Sequence, residues 1–318
     1  MAFVQFYNGN KVPSLGLGTY NSKSGEVEQA VKDAINVGYR HIDCSPAYGN
    51  EREIGGALVG IFERGVVERS DIFITSKLWN TKHRPELVEP ALMGTLKDLA
   101  LDYLDLYLMH WPFAFKESEE VYPADKSGEI ETSDIDYVDT WKAMESLVDK
   151  GLVKNIGISN FNSKQIDRLL ANCRIKPVTN QVECHPYLAQ IGLSEFCASR
   201  GITITAFSPL SSPYKPRTHP EDALLLEDRK IKSIASKYKK TPAQVVLRYQ
   251  LERGHIVIPK SVSKNRVQEN FDILDFKLSP EDVQQINSLD CNRRTGNWSK
   301  FKNVAAHKYY PFGKDVEF

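Results

Sequence analysis

The sequence has little that would direct the protein to nucleic acid, a membrane or the outside of the cell. Its 41 basic and 41 acidic side chains balance, so no excess charge favours a polyanion or a charged lipid surface. No apolar run reaches the roughly 18 residues that a membrane span requires, and the first residues lack the layout of a signal peptide. We therefore predict a cytoplasmic protein that binds neither nucleic acid nor membrane.

The five cysteines form no C-x-x-C pair. Cys184 stands beside His185, but no second pair of ligands occurs at the spacing that a zinc site needs. An odd number of cysteines without paired spacing is typical of free thiols in a reducing compartment. We expect free thiols and no bound metal.

The chain also lacks any linker rich in proline, glycine or serine, and one layout recurs along it instead. Amphipathic helical segments alternate with short apolar strands: "VEQAVKDAINVG" precedes "YRHID", and "PAQVVLRYQLERG" precedes "HIVIPKS". With "SLGLGTY" as the first, there are eight such strands. Continuous apolar strands between helices indicate a parallel sheet covered on its faces. Eight units in 318 residues predict an α/β fold of the (β/α)8 TIM-barrel type.

Two local patterns complete the predicted fold. The Asn-Gly of "VQFYNGNKVP", between short apolar segments, predicts an N-terminal β-hairpin. An open doubly wound sheet, the alternative, would carry G-x-G-x-x-G after its first strand, whereas "GLGTYN" lacks the third glycine and no helix follows closely. We predict one barrel domain over residues 1–318, with long substrate loops at its C-terminal face (112–137, 211–225 and 292–312).

Polar side chains stand where most of the predicted strands end. In a barrel of parallel strands these ends converge on one rim, where the active sites of such barrels lie. Any one of these side chains could be a polar residue leaving the core, but together they predict a polar pocket. They are Asp43, Lys77, His110, Ser159, Asn160, Gln181, Glu183, Ser208, Lys260 and Ser261.

Four side chains near these ends have the chemistry of carbonyl reduction, which needs a hydride on carbon and a proton on oxygen. Tyr48 can give the proton, although a free phenol, with a pKa of about 10, is a reluctant donor. Lys77 nearby would lower that pKa, and Asp43 would hold the lysine charged and in place. His110 would hydrogen-bond the carbonyl oxygen and orient it. The competing hypothesis, in which Lys77 forms a Schiff base in an unrelated enzyme, requires an unpaired lysine.

Eight segments resemble, in order and in context, the characteristic segments of aldo-keto reductases of the aldose reductase group. They are "GLGTY", "YRHIDCSPAYGNE", "FITSKLWN", "DLYLMHWP", "KNIGISNF", "NQVECHPY", "FSPL" and "IPKSV". The resemblance covers nearly the whole chain and implies an NADPH-dependent enzyme that reduces aldehydes and ketones to alcohols. It implies Tyr48 as the general acid, His110 as the group that orients the carbonyl, and Asp43 and Lys77 as the residues that tune Tyr48.

The same resemblance implies a bound NADPH or NADP+ and the residues that hold it. Ser159, Asn160 and Gln181 would bind the amide of the nicotinamide. The ring would stack on Phe207, where the family commonly has tyrosine; stacking needs only the ring face, so the contact survives. The other implied cofactor contacts are Thr19, Ser208, Leu210, Ser261, Ser263, Glu269 and Asn270, the last two at the adenine.

The segment "IPKSVSKNRVQENFDIL", residues 258–274, predicts a helix that begins near Ser263 with basic residues at its positive end. Helix N-termini normally carry acidic residues, as the later "SPEDVQQI" does. Lys264 and Arg266, with Lys260 just upstream, break this rule, which makes sense if an anion binds there. A merely solvated basic turn is the alternative. In the family this segment holds the 2′-phosphate of the adenosine, which favours NADPH over NADH.

Aromatic side chains on the loops predict a substrate pocket. The predicted walls are Tyr20, Trp79, Trp111 and Trp298, and Phe113 and Phe115 are either walls or ordinary core. An aromatic pocket favours apolar or amphipathic carbonyl compounds, so aromatic aldehydes and steroid-like ketones are the expected substrates. The alternative function is a cofactor-binding regulatory protein of the same fold with little turnover. Such a protein would resemble the ion-channel β-subunits of this superfamily. We expect a monomer, as is common in the family.

Overall fold

The structure, a computed structural model, describes residues 2–211 and 224–313. Most of the predicted loop at 211–225 therefore lies outside the described residues. The strands in the described ranges are β1 (Phe3–Gln5), β2 (Lys11–Pro13), β3 (Leu17–Gly18), β4 (His41–Asp43), β5 (Phe73–Leu78), β6 (Leu106–Met109), β7 (Ala114–Phe115), β8 (Thr132–Ser133), β9 (Ile156–Ser159), β10 (Thr179–Glu183), β11 (Thr203–Phe207) and β12 (Ile256–Val257). The helices there are α1 (Glu26–Val37), α2 (Glu51–Glu63), α3 (Pro85–Leu99), α4 (Tyr137–Asp149), α5 (Ser163–Leu170), α6 (Ile191–Ser199), α7 (Arg229–Tyr238), α8 (Pro242–Glu252), α9 (Lys264–Phe271), α10 (Pro280–Asn287) and α11 (Lys302–Ala305).

One parallel sheet of eight strands forms the centre of the molecule, in the order β12-β11-β10-β9-β6-β5-β4-β3. Bridges from Leu15 to Val257 and from Gly18 to Lys260 join the last strand to the first and close the sheet. A Cβ on Gly18 would lie 2.6 Å from the carbonyl oxygen of Ile258, so this seam requires glycine. The predicted (β/α)8 barrel is confirmed, and the open doubly wound alternative is wrong.

The predicted N-terminal hairpin is also confirmed. β1 and β2 pair antiparallel, with Phe3 opposite Pro13. In the connecting loop Gly9 N donates to Phe6 O at 3.0 Å. The Phe6 ring packs edge-on against Phe73 at the start of β5, with the centroids 6.4 Å apart. The hairpin therefore covers the N-terminal end of the barrel and leaves the opposite rim open for a site.

Helix α1 shows why the helices lie against the sheet. Its buried apolar side chains recur three or four residues apart and form one stripe. They are Val27, Ala30, Val31, Ala34 and Ile35. The helix ends at Gly38, whose φ of 123° lets its N–H reach the carbonyl oxygens of Ala34 and Ile35. A side chain on Gly38 would also meet the ring of Phe271 at 2.8 Å, so both conformation and space require glycine there.

Three elements were not predicted from the sequence: α7, α11 and the antiparallel β7–β8 ribbon in the long loop after β6. α7 precedes α8 between the last two barrel strands. A signal for it was present, because Asp228 caps the helix by accepting from Lys230 N at 2.8 Å. Its buried residues Ile231, Ile234 and Ala235 also have helical spacing.

The helices of the described ranges include none that is long and apolar enough to cross a bilayer. α3, for example, has 15 residues and contains Pro90, whereas a spanning helix needs about 20 apolar residues.

Candidate active site

Three neighbouring strands and one short turn bring the four predicted catalytic side chains together. Asp43 ends β4, Lys77 lies near the end of β5, and His110 follows β6. Tyr48 ends the 3-10 turn Pro46–Tyr48, which follows β4 directly. Because these strands are adjacent and parallel, their side chains converge on the C-terminal rim as predicted.

Lys77 and Asp43 form a buried ion pair, in which Lys77 Nζ donates to Asp43 Oδ1 at 2.5 Å. Lys77 also donates to Cys44 O at 2.9 Å, and Gln181 Nε2 donates to Asp43 Oδ2 at 2.8 Å. Burial lowers the pKa of Lys77, but Asp43 and Tyr48 together outweigh burial and raise it above the ordinary value. The lysine therefore stays charged, and the Schiff-base hypothesis fails because it requires an unpaired lysine.

Tyr48 lies beside both Lys77 and His110. Lys77 Nζ is 5.1 Å from the centroid of the Tyr48 ring, and the His110 ring centroid is 6.0 Å away. Burial raises the pKa of Tyr48 to about 12, even though Lys77 pulls it down. The predicted lowering by Lys77 is present, but loss of solvent outweighs this one positive charge, so the pKa of the phenol is raised overall. The phenol is fully protonated at neutral pH.

His110 is buried and neutral. Its surroundings lower its pKa well below the ordinary value, first through burial and then through the charge of Lys77. Its ring is held between Trp79, 5.0 Å away in an edge-on contact, and Ser45, whose Oγ lies 3.2 Å from Nδ1. Ser45 was not among the predicted site residues, because its contact with His110 joins residues 65 positions apart.

The residues predicted to hold the nicotinamide amide lie side by side above this group. Ser159 Oγ donates to Gln181 O at 2.7 Å, and Asn160 Nδ2 donates to His110 O at 3.0 Å. Asn160 Oδ1 is a buried acceptor with no partner among the described residues. On the other side, Thr19 Oγ1 donates to the backbone oxygen of Asp43 at 2.7 Å. The cluster is thus tightly connected but leaves one amide oxygen unsatisfied.

Phe207 ends β11 opposite Glu183 of β10, so its position at the rim agrees with the prediction. Ser208 follows with a positive φ of 46°, which turns the chain away from the strand. Leu210 packs against the hydrophobic core, partly buried. The structure places these three residues together at one side of the barrel mouth.

Helix α9 begins where the basic segment predicted it, directly after Ser263. The Ser263 side chain does not cap the helix, and no acidic residue lies in the first turn. Lys264 and Arg266 are exposed and form no ion pair within the described part of the chain. Within residues 2–211 and 224–313, the one hydrogen bond of Lys260 Nζ is to Asn21 O, at 3.2 Å. The end of α9 therefore combines unsatisfied backbone N–H groups with unpaired positive charge.

The other predicted contacts at this end are buried or already bonded. Ser261 Oγ accepts from Ser263 N at 3.2 Å. Glu269 accepts from Thr241 Oγ1 at 2.7 Å and holds α9 to α8, and Asn270 is buried. A ligand that contacts Glu269 would therefore meet a carboxylate that already holds α9 to α8.

Three tryptophans meet beside the catalytic group. The Trp298 ring lies 6.3 Å from Trp79 and 6.0 Å from Trp111, and Trp79 Nε1 donates to Val121 O at 2.6 Å. Tyr20, 62% exposed, lies 5.2 Å from Tyr48 in an edge-on contact. These four residues lie around Tyr48 and His110, and their role as walls of a substrate pocket stays a prediction.

The structure separates wall from core among the remaining aromatics. Phe113 and Phe115 are buried, with 0% and 1% exposure, and form the core beneath the tryptophans. Tyr122, in the polar stretch "KESEEVYPADKS", was missed; it is 48% exposed and its ring lies 5.7 Å from Trp79 and 5.9 Å from Trp298. An aromatic residue in an otherwise polar loop was the available signal.

Glu183, unlike its neighbours at the strand ends, binds the backbone of the C-terminal loop. Its carboxylate accepts from Thr295 N at 3.0 Å, from Gly296 N at 2.9 Å and from the Thr295 hydroxyl. His185 Nε2 lies 3.2 Å away on the other side. Glu183 therefore anchors the C-terminal loop that carries Trp298 three residues further on. In residues 2–211 and 224–313 no group of three or more His, Cys, Asp or Glu could hold a metal ion.

Comparison with known proteins agrees with this geometry. The sequence profile of the Aldo/keto reductase family matches residues 14–290. Aldo-keto reductase family 1 member A1 of Gallus gallus is 51% identical over 317 residues, which cover 98% of this chain and 97% of that protein. The Homo sapiens protein of the same name is 48% identical over 316 residues, or 97% of each. The structure of the aldose reductase from Schistosoma japonicum matches with a TM-score of 0.93 and 46% identity, and covers 99% of this chain and 100% of that one.

Proposed function

Because the chain belongs to the aldo/keto reductase family, we propose that its cluster of Tyr48, His110, Lys77 and Asp43 reduces carbonyl groups with Tyr48 as the acid. The family reduces carbonyls with NADPH, and the chain is an NADPH-dependent carbonyl reductase. The assignment of Tyr48 rests on one observation above all: its phenol, protonated at neutral pH, lies beside a buried lysine that is held charged.

The residues of the rim fit the cofactor. The unpartnered Asn160 Oδ1 suits the N–H donors of the nicotinamide amide, with Ser159 and Gln181 adjacent. The uncapped start of α9, where Arg266 and Lys264 form no ion pair with any residue that the structure describes, suits a phosphate. Phe207, partly exposed at the end of β11, is the ring proposed to stack on the nicotinamide. When bound, NADPH supplies the hydride that is added to the carbonyl carbon.

The side chains of this protein supply the proton and the orientation. Tyr48 donates its hydroxyl proton to the carbonyl oxygen, and the nearby ammonium of Lys77 stabilises the phenolate that remains. Asp43 keeps Lys77 charged and in place. His110, neutral and facing the same space, donates a second hydrogen bond to the carbonyl oxygen. Tyr48 and His110 therefore act on the carbonyl oxygen directly, and Lys77 and Asp43 act through Tyr48.

The substrates that suit this site are apolar or aromatic carbonyl compounds. Trp79, Trp111, Trp298 and Tyr122 surround the approach with ring faces and edges. Binding of an apolar substrate against these rings is favoured because it removes apolar surface from water. The rings offer few hydrogen-bond partners to a charged substrate. Aromatic aldehydes and steroid-like ketones are the candidates that follow.

The experiment is NADPH consumption with a panel of aldehydes and ketones, comparing wild type with Tyr48→Phe. We expect turnover to fall by about 10²- to 10⁴-fold, the usual contribution of a general acid, while NADPH still binds. Tyr103→Phe, at a partly exposed phenol before β6, is the matched control and should keep full activity.

Two results would change the conclusion. If Tyr48→Phe kept wild-type turnover, another group would have to be the acid. If wild type bound NADPH tightly but reduced no member of the panel, the alternative function, a cofactor-binding regulatory protein with little turnover, would replace the enzyme.

A further inference from the structure

The Ser45 side chain connects two of the catalytic groups. Ser45 is fully buried at the point where β4 leads into the turn that carries Tyr48. Its Oγ accepts from Ala47 N at 3.3 Å, which caps that turn. The same Oγ lies 3.2 Å from Nδ1 of His110. The Ser45 hydroxyl therefore contacts both the turn that carries Tyr48, the proposed acid, and the ring of His110, which is proposed to orient the carbonyl.

Counting protons decides the direction of this hydrogen bond. A hydroxyl has one proton to donate, and one lone pair of Ser45 Oγ is already used by Ala47 N–H. Among the described residues the only acceptor within reach of that proton is His110 Nδ1. A neutral imidazole carries a single proton, which must then be on Nε2. The lowered pKa of His110 agrees with a neutral ring.

The opposite tautomer is unfavourable for two reasons. If Nδ1–H donated to Ser45 Oγ, the hydroxyl proton would be buried without an acceptor. Nε2 would also have no proton to offer to a substrate oxygen. Nε2 has no partner among the described residues and is not sealed from solvent, so it is the nitrogen that faces the site.

We propose that Ser45 is a positioning residue, whose hydroxyl fixes the Nε2–H tautomer of His110 and ties its ring to the turn that carries Tyr48. The two donors to the carbonyl oxygen are then aligned by one side chain. The inference rests on the proposed function, because it concerns the hydrogen bond that His110 gives to the substrate. Residues that orient a ligating or catalytic histidine through its second nitrogen act in this way in other sites.

The first test is the tautomer itself, read by ¹⁵N NMR of histidine-labelled protein, with the His110 signals identified by their loss in His110→Gln. In wild type we expect Nδ1 to resonate as an unprotonated nitrogen and Nε2 as a protonated one. In Ser45→Ala we expect both tautomers to be populated. A wild-type spectrum with the proton on Nδ1 would overturn the proposal without any Ser45 variant being needed.

The second test is kinetic. Ser45→Ala should lower kcat for carbonyl reduction by about threefold to tenfold, the value of one neutral hydrogen bond, and leave NADPH binding unchanged. Thr179→Val is the matched control. It removes a buried hydroxyl at the N-terminal end of β10, and this hydroxyl lies 2.9 Å from Thr205 Oγ1. Its kcat should equal that of wild type.

The outcomes separate this inference from the function it rests on. If Tyr48→Phe and His110→Gln both abolish turnover while Ser45→Ala changes neither the tautomer nor kcat, Ser45 has no positioning role and the proposed function stands. If Tyr48→Phe keeps turnover, the proposed function itself fails, whatever Ser45 does.

Discussion

At the scale of single residues, the least ordinary feature is a lysine whose whole side chain is buried. Lys77 is tolerated because Asp43, Cys44 O and the Tyr48 ring surround its ammonium. Gln181 in turn bonds the second oxygen of Asp43. A buried charge pair is costly to form, but once it is formed the loss of one partner leaves the other charge uncompensated.

Asp43→Asn should therefore lower the free energy of unfolding by about 3–5 kcal/mol, as expected when one member of a buried ion pair is removed. Urea unfolding of the cofactor-free protein would measure this loss. Lys77→Met in the Asp43→Asn background should lose less than the two single variants added together, because the two charges are coupled. Lys116→Met, which breaks an exposed pair with Glu131, is the control and should change stability little. A loss as small as the control's in Asp43→Asn would contradict the ion-pair account.

At the scale of elements, the start of helix α9, which has no side-chain cap and no acidic residue in its first turn, is the segment that we propose binds the 2′-phosphate. We predict that Arg266→Ala weakens NADPH binding by about tenfold to a hundredfold, the usual value of a hydrogen bond to a charged group. NADH binding should change little, because NADH lacks the 2′-phosphate. Titration of each cofactor by fluorescence measures both constants.

Arg229→Ala is the matched control for this helix, since Arg229 is also exposed and also stands at a helix start, that of α7. It should leave both cofactors unaffected. Equal losses of NADPH and NADH affinity in Arg266→Ala would remove the 2′-phosphate from this segment.

The C-terminal loop is the second element that shapes the proposed pocket, because it carries Trp298. Glu183 holds this loop to β10. Burial raises the pKa of Glu183, but hydrogen bonds from His185 and Thr295 outweigh burial and lower it to about 2. Its contribution to stability, on the order of 3 kcal/mol, is thus present above pH 4.5 and lost as the pH falls towards 2.

Glu183→Gln should consequently be less stable than wild type at pH 7, and the difference should shrink below about pH 4.5. The loosened loop should also raise KM for the carbonyl through Trp298 and leave NADPH binding as it was. Urea unfolding at several pH values and steady-state kinetics test the two parts. A stability difference that stayed constant down to pH 3 would show that the carboxylate charge is not what anchors the loop.

At the scale of the whole molecule, buried histidines govern the response to acid. Burial lowers the pKa of His41 to about 4 and those of His83 and His255 to about 3, and His110 is also lowered. Below pH 6.5 the unfolded chain binds these protons and the folded chain does not, so stability falls. Burial raises the pKa of Glu51 to about 7. Between pH 7 and 4.5 the folded chain therefore holds a proton that the unfolded chain releases, and this raises stability as the pH falls.

Burial lowers the pKa of His307 as well. Five histidines against one glutamate leave a net of four protons, so stability should fall by up to about 5 kcal/mol per pH unit between pH 6 and 5. Urea unfolding across pH 7.5 to 5 measures the slope. In Glu51→Gln the opposing contribution is gone, and the decline should be steeper. A stability that stays flat from pH 7 to 5 would mean that the histidines take up protons without unfolding.

The sequence by itself determined the barrel, because the alternation of apolar strands and helices is a local pattern repeated eight times and each unit can be recognised alone. It also predicted which side chains reach the rim, since the end of a strand is visible in the sequence. The start of α9 near Ser263 followed in the same way from local charge.

Only the tertiary structure decided the properties that depend on distant neighbours. Burial outweighs Lys77 in setting the pKa of Tyr48, and Phe113 is core while Tyr122 is wall. The Ser45–His110 contact and the anchoring of Thr295 by Glu183 join residues 65 and 112 positions apart. Desolvation and hydrogen bonding act over a few ångströms in space, so contacts between residues so far apart in the chain arise only when the barrel has closed.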